Sequence, residues 1–143
     1  MFFLFRLLHW LPLPLLHNLG ALMGWLLWLA SPGYRRLLRE NMAQAGLAEY
    51  RNEAIAAAGQ MAFELPKIWL RPQAEVMERI AEVSGHEHVE AAWAAGKGIL
   101  YLTPHLGCFE ITAQYLAAHR PITVLYRPPR QRWLQPLYEA GRA

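Results

Sequence analysis

Residues 98–127 read GILYLTPHLGCFEITAQYLAAHRPITVLYR, and the fold turns on how this stretch divides. "GILYLT" is a compact apolar run with β-branched and aromatic side chains, the pattern of a buried strand. "CFEITAQYLAAHR" has the length of a helix of about three turns, and "PITVLYR" has the pattern of a second strand. Strand, helix and strand of those lengths predict a βαβ crossover, and therefore an α/β domain on a mixed or parallel sheet. The chain then runs on as "PPRQRWLQPLYEAGRA", which starts another helix near Trp133 and closes no sheet. Two or three strands cannot bury both faces, so the domain is expected to be incomplete at its carboxyl end.

Working back from that core, "RIAEVSG" (79–85) alternates well enough for a short strand. "HEHVEAAWAAGKG" then forms a helix closed by Gly96. Residues 34–72 are rich in Ala, Glu, Arg and Leu and read as helix nearly throughout, with Gly46 and Pro66 as punctuation. Leu47, Tyr50, Ala54, Ala58, Met61, Leu65 and Ile68 fall near one helical stripe, a core-packing face. Phe63, Trp69 and Leu70 widen it and leave contact with a membrane or an acyl chain open.

The chain is 55% hydrophobic with six Trp, more than a small soluble domain usually carries. No residue from Leu7 to Tyr34 is formally charged. The division expected is thus a membrane-anchoring segment at 1–34 and a water-compatible domain portion at 35–143. Leu15 to Ala30 as a helix is about 24 Å long at roughly 1.5 Å per residue, slightly short of a hydrocarbon core of ~30 Å. Spanning would need the turn holding Pro12 and Pro14, which a helix tolerates in its first turn. Both a spanning helix and a shallow in-plane helix stay open. The long apolar region and the single Arg before it argue against a cleaved signal peptide, despite the small residues of "LASPG". Arg35, Arg36 and Arg39 behind the stretch, against Arg6 before it, place the downstream domain on the cytoplasmic side.

The formal net charge is +3, and Arg120, Arg127, Arg130, Arg132 and Arg142 face only Glu139 at the carboxyl end, which should attract anions. A single cysteine excludes an intrachain disulfide framework. The chain has no aspartate, so any catalytic carboxylate it supplies is a glutamate.

His105 follows Pro104 at the carboxyl end of the expected strand, the edge where open α/β sheets place ligands. In one continuous helix His105 and Glu110 would stand about 140° apart. They can cooperate only if His105 lies in the loop, which Pro104 and Gly107 favour. Glu110 then falls in the first helical turn, where the dipole favours its ionised form. A carboxylate beside an imidazole orients the ring and raises its basicity, a general-base pair. Backbone N–H groups near Gly107 and Cys108 are positioned to stabilise an oxyanion. The same residues also fit a loop histidine capping a helix. Cys108 offers a competing nucleophile, as in a membrane-bound Cys/His thiol hydrolase, although Phe109 and Ile111 around it describe a packing context. "HEH" at 86–88 lacks a third clear metal ligand, so no metal is expected. Gly96 and Gly98 have the wrong spacing for a phosphate loop.

"GKGILYLTPHLGCFE" with "PITVLYRPPRQRWLQPL" resembles the bacterial lipid A biosynthesis lauroyl/myristoyl acyltransferases, within the lysophospholipid acyltransferase superfamily marked by His-x4-Asp/Glu. The apolar amino terminus, "RRLLRENM" and "GHEHVEAAWAAGKG" extend the resemblance over most of the chain. It implies a glycerolipid-acyltransferase-like fold and an inner-membrane enzyme with no cofactor and no nucleic-acid partner. The donor it implies is acyl-carrier protein or acyl-CoA, and the acceptor an anionic lipid, a lipid A precursor. By the same resemblance His105 is the general base, Glu110 its orienting partner, and Arg127, with Gly107 and Arg130, binds substrate. Cys108 is dispensable in that scheme. A truncated, non-catalytic lipid-binding fragment is the remaining alternative.

Overall fold

The computed structural model describes residues 2–125, 127 and 135–142. The described elements are helical: α1 (Phe2–Leu8), α2 (Leu13–Ala30), α3 (Pro32–Gln44), a 3-10 turn (Ala48–Tyr50), α4 (Arg51–Leu70), α5 (Gln73–Met77), α6 (His86–Ala94), α7 (Glu110–His119) and α8 (Gln135–Arg142). They form two compact units, Met1–Arg71 with Arg127–Ala143, and Pro72–Tyr126.

The first unit is organised by α2 against α4. Helix α2 starts where Pro14 falls in the first turn, so its missing N–H breaks no hydrogen bond. It stops at Ser31, whose extended backbone (φ −117°, ψ 97°) leaves the helix and whose hydroxyl accepts the Tyr34 N–H at 3.3 Å, capping α3. Leu16, Gly20, Gly24 and Trp28, four residues apart, are the buried stripe of α2. Gly20 and Gly24 let the two backbones touch: a Cβ on Gly20 would stand 2.7 Å from the Gly59 carbonyl oxygen, and one on Gly24 would run into the Ile55 carbonyl. This is the small-xxx-small packing that brings helices together where lipid or dry core surrounds them.

The helices run antiparallel. His17 lies opposite Glu64, with Nε2 and Oε1 2.7 Å apart, Gly20 opposite Gly59, Gly24 opposite Ile55, and Trp28 near Arg51, whose guanidinium stands 6.0 Å from the ring centroid. Lys67 is buried and donates to the His9 carbonyl at 3.1 Å. Trp69 stacks on Phe5 (6.3 Å between centroids) and tilts against Tyr138 (5.0 Å), drawing α1 and α8 onto α4.

The helical stripe expected on residues 47–68 is displaced. Leu47 and Tyr50 are exposed, while Ile55, Gly59 and the run Pro66 to Trp69 are buried. The side-chain-free Gly59 sets which face meets α2, so the buried face centres on it rather than on the bulkier residues. Pro66 does not end α4 but sits inside it, buried. Gly46 does reverse the chain, at φ +72°.

The sheet is a correction. None of the described residues forms a strand, and residues 80–84, 98–104 and 121–125 carry no ladder. A strand exists only by pairing its N–H and C=O groups with a neighbour, and these three segments do not pair with one another. Their apolar side chains lie open instead of filling a core: Leu100 is 83% exposed, Leu102 87% and Leu125 95%. The βαβ crossover and the mixed or parallel sheet expected from their composition are therefore not formed.

Candidate active site

In the second unit α5 packs on α7, and the Gln73 side-chain amide donates to the Gln114 carbonyl at 3.3 Å. Val76 on α5 and Leu116 on α7 are its buried apolar residues. Helix α6 begins at Gly85 (φ +80°) and gives way to a turn at Gly96 (φ +67°). His86 ties it to α7: Nδ1 lies 3.0 Å from the Tyr115 hydroxyl and Nε2 3.1 Å from Glu90. That hydrogen-bonded role accounts for the first histidine of "HEH". His88 is exposed, and among the described residues no group of three His, Cys, Asp or Glu could hold a metal.

His105 lies in a bend outside any helix, exposed, with its ring 4.1 Å from the Phe109 ring and tilted by 38°. Gly107 turns the chain between this bend and α7. Its φ of +52° is the left-handed conformation that a side chain disfavours. The Cys108 and Phe109 carbonyls accept from the N–H groups of Ile111 and Thr112, both at 3.1 Å, and start the helix. Glu110 is the first residue of α7 and is buried, so its carboxylate sits at the positive end of the helix dipole. Cys108 is half-buried.

His105, Gly107 and Glu110 thus come from one short turn, with the histidine open to solvent and the carboxylate sheltered. No hydrogen bond or ion pair joins His105 to Glu110: the imidazole lies over Phe109. Arg127 is exposed and belongs to the other unit. Arg130 lies outside the described residues.

A family model for bacterial lipid A biosynthesis acyltransferases matches residues 1–143, the whole chain. The chain belongs to this family. It therefore has an acyltransferase role in lipid A biosynthesis, a reaction that joins an acyl donor to a lipid acceptor. The chain matches no curated protein and no solved structure. Among the described residues, helix α2 is long and apolar enough, by length and composition, to cross a membrane.

The sequence reading passed over the polar members of the α2–α4 pair, His17, Glu64 and Lys67. Their signal was the spacing of Gly20 and Gly24 in an apolar run, which marks a helix–helix face. Once α2 is placed on α4 by that face, His17 has to meet whatever α4 carries one turn beyond Gln60, and that residue is Glu64.

Proposed function

We propose that the protein is a membrane-associated O-acyltransferase that moves a fatty acyl chain from the thioester of acyl-carrier protein or acyl-CoA to a hydroxyl of a lipid A precursor. The observation that carries this reading is the family match over the whole chain, together with an exposed histidine five residues ahead of a sheltered glutamate at a helix start. His105 removes the proton of the acceptor hydroxyl as the oxygen attacks the thioester carbonyl. The C–O bond forms, the carbonyl oxygen takes the negative charge, and collapse expels the thiolate, which recovers the proton as a thiol. No acyl-enzyme is formed.

Glu110 orients the imidazole once His105 turns off the Phe109 ring toward α7. Catalytic hydrogen bonds are commonly long before substrate arrives and close in the complex. Backbone N–H groups of the Gly107 turn meet the oxyanion. Arg127 and Arg130 bind the acceptor's phosphate or sugar, a task suited to the guanidinium fork. The apolar amino-terminal segment, proposed as residues 1–34, keeps the acyltransferase portion, 35–143, at the cytoplasmic face of the inner membrane.

The test is acyl transfer by the native protein from labelled acyl-carrier protein or acyl-CoA to a lipid A precursor. His105→Ala should lower kcat by about 10²–10⁴-fold, the worth of a general base, and Cys108→Ser should keep most of the activity. A covalent acyl-thioester that disappears with Cys108→Ser would overturn the mechanism.

A further inference from the structure

Between Gly107 and Glu110 the turn carries one large side chain, Phe109, and the imidazole of His105 lies on it. The two ring centroids are 4.1 Å apart and the planes are tilted by 38°. Phe109 is half-buried and His105 exposed. Among the described residues no hydrogen bond or ion pair reaches His105, so the ring contact with Phe109 is what gives the imidazole its place. Phe109 already has helical backbone angles (φ −59°, ψ −24°) and Glu110 is the first residue of α7. Their side chains therefore leave the same turn about 100° apart. In the position seen, the imidazole touches the apolar one of these two neighbours and makes no bond with the acidic one.

The seat is preferred but shallow. Offset ring pairs favour contact over separation by a factor of about two to twelve, which a substrate hydrogen bond can reverse. Such a seat matters for the reaction because an acyl thioester can be attacked by two kinds of oxygen, the acceptor hydroxyl and water. A solvent-exposed base set permanently against its carboxylate would activate either one.

We infer that Phe109 is a positioning residue that favours the acceptor over water: its ring holds His105 aside while the acceptor is absent. The acceptor hydroxyl hydrogen-bonds the imidazole only in its turned position, and that differential contact draws the ring from Phe109 toward Glu110. The inference rests on the acyl transfer proposed above and adds how the site withholds its base from water. Without the aromatic seat, His105 takes a proton from water and the water oxygen bonds to the thioester carbon. The C–S bond then breaks and the thiolate recovers the proton, giving a fatty acid and a thiol in place of acylated lipid.

The experiment measures free fatty acid and acylated lipid side by side. The full chain, as native protein, Phe109→Leu and Phe109→Trp, is given labelled acyl-carrier protein and acyl-CoA in turn, each with a lipid A precursor. Ring-proton NMR signals of His105, assigned by their loss in His105→Gln, are recorded for the native protein and Phe109→Leu in detergent micelles. The native signals should lie upfield of those in Phe109→Leu and move toward them when the precursor is added. The ratio of hydrolysis to transfer should rise about fivefold in Phe109→Leu and fall back in Phe109→Trp, which restores a ring; a purely structural role would lower both products together. Equal His105 shifts in the two proteins, or transfer with an unchanged ratio, overturns the inference and leaves the acyltransferase reading standing. If Phe109→Leu does not fold, the absence of a nuclear Overhauser contact between the His105 and Phe109 rings in the native protein overturns it instead. No acyl transfer by the native protein from either donor overturns the acyltransferase reading and this inference together.

Discussion

The two units of the chain differ in what holds them. Residues 1–71 with 127–143 have a helix pair in backbone contact, tied by His17 with Glu64 and by Lys67 with His9, and most of the buried apolar side chains: Leu16, Trp28, Ile55, Ile68 and Trp69. Among the described residues, 72–125 bury only Val76, Leu116 and the carboxylate-bearing Glu110 to a comparable degree, and leave Leu100, Leu102 and Leu125 open. The close-packed unit carries the apolar helix α2; the loosely packed one carries the candidate His105 and Glu110. A dense core tolerates little change in volume, whereas a loop on a thin core can rearrange at small cost. Substitutions in the α2–α4 pair should therefore act on folding, and those around His105 and Glu110 on turnover.

The largest expected effect on stability is that of Gly59→Leu. Its side chain would enter the space of the Gly20 carbonyl and the Gly24 amide, where only backbone movement makes room. Overpacking of this kind costs about 3 kcal/mol or more, read as loss of thermal stability. If Gly59→Leu instead lowered kcat with an unchanged Tm, the division of labour between the units would be wrong. Of similar size but opposite kind is Glu110→Gln. It removes the charge while keeping the shape, and should lower kcat about 10²-fold, some 2.7 kcal/mol, with little change in Tm. Unchanged turnover would remove Glu110 from the mechanism.

A smaller effect is expected for the His17 and Glu64 pair. Its side chains are partly exposed, at 33% and 19%, so a single truncation should cost about 1 kcal/mol. The coupling from a double-mutant cycle with His17→Ala and Glu64→Ala isolates the contact. Zero coupling would show that the glycines alone set the register.

Different parts of this molecule were legible to different degrees. The turn at Gly96, the bend at His105 and the place of Glu110 in the first turn of α7 follow from local chemistry: a glycine with positive φ, a proline, and the 100° step that keeps His105 and Glu110 apart in a helix; the helix itself starts at Glu110 rather than at Cys108. The buried face of α4 was not legible in the same way, because bulk normally predicts burial and here the deciding residue, Gly59, has no side chain. The strands failed for a third reason. The composition of "GILYLT" and "PITVLYR" states what a strand would look like, but pairing is a property of two segments, and neither has one beside it. The apolar run of α2 was visible as hydropathy, and the face it presents to α4 became visible only through the glycine contacts.

The substitution that tests the turn itself is Gly107→Ala. No atom lies within 4 Å of a Cβ built there, so a clash contributes nothing, and the cost is that of holding alanine at φ +52°, about 1–2 kcal/mol. The chain can relieve this by moving Gly107 out of the left-handed region, which shifts His105 relative to α7. Stability and turnover then separate. In a unit with so thin a core the movement should cost less Tm than the conformational penalty alone implies, while kcat falls as the imidazole loses its alignment with Glu110. Gly107→Asn keeps the left-handed conformation more readily than alanine, so it should retain more activity than Gly107→Ala despite its larger side chain. The order alanine below asparagine would tie activity to the backbone conformation at this turn. The reverse order would mean that the space above Gly107, rather than its φ, is what the acceptor needs.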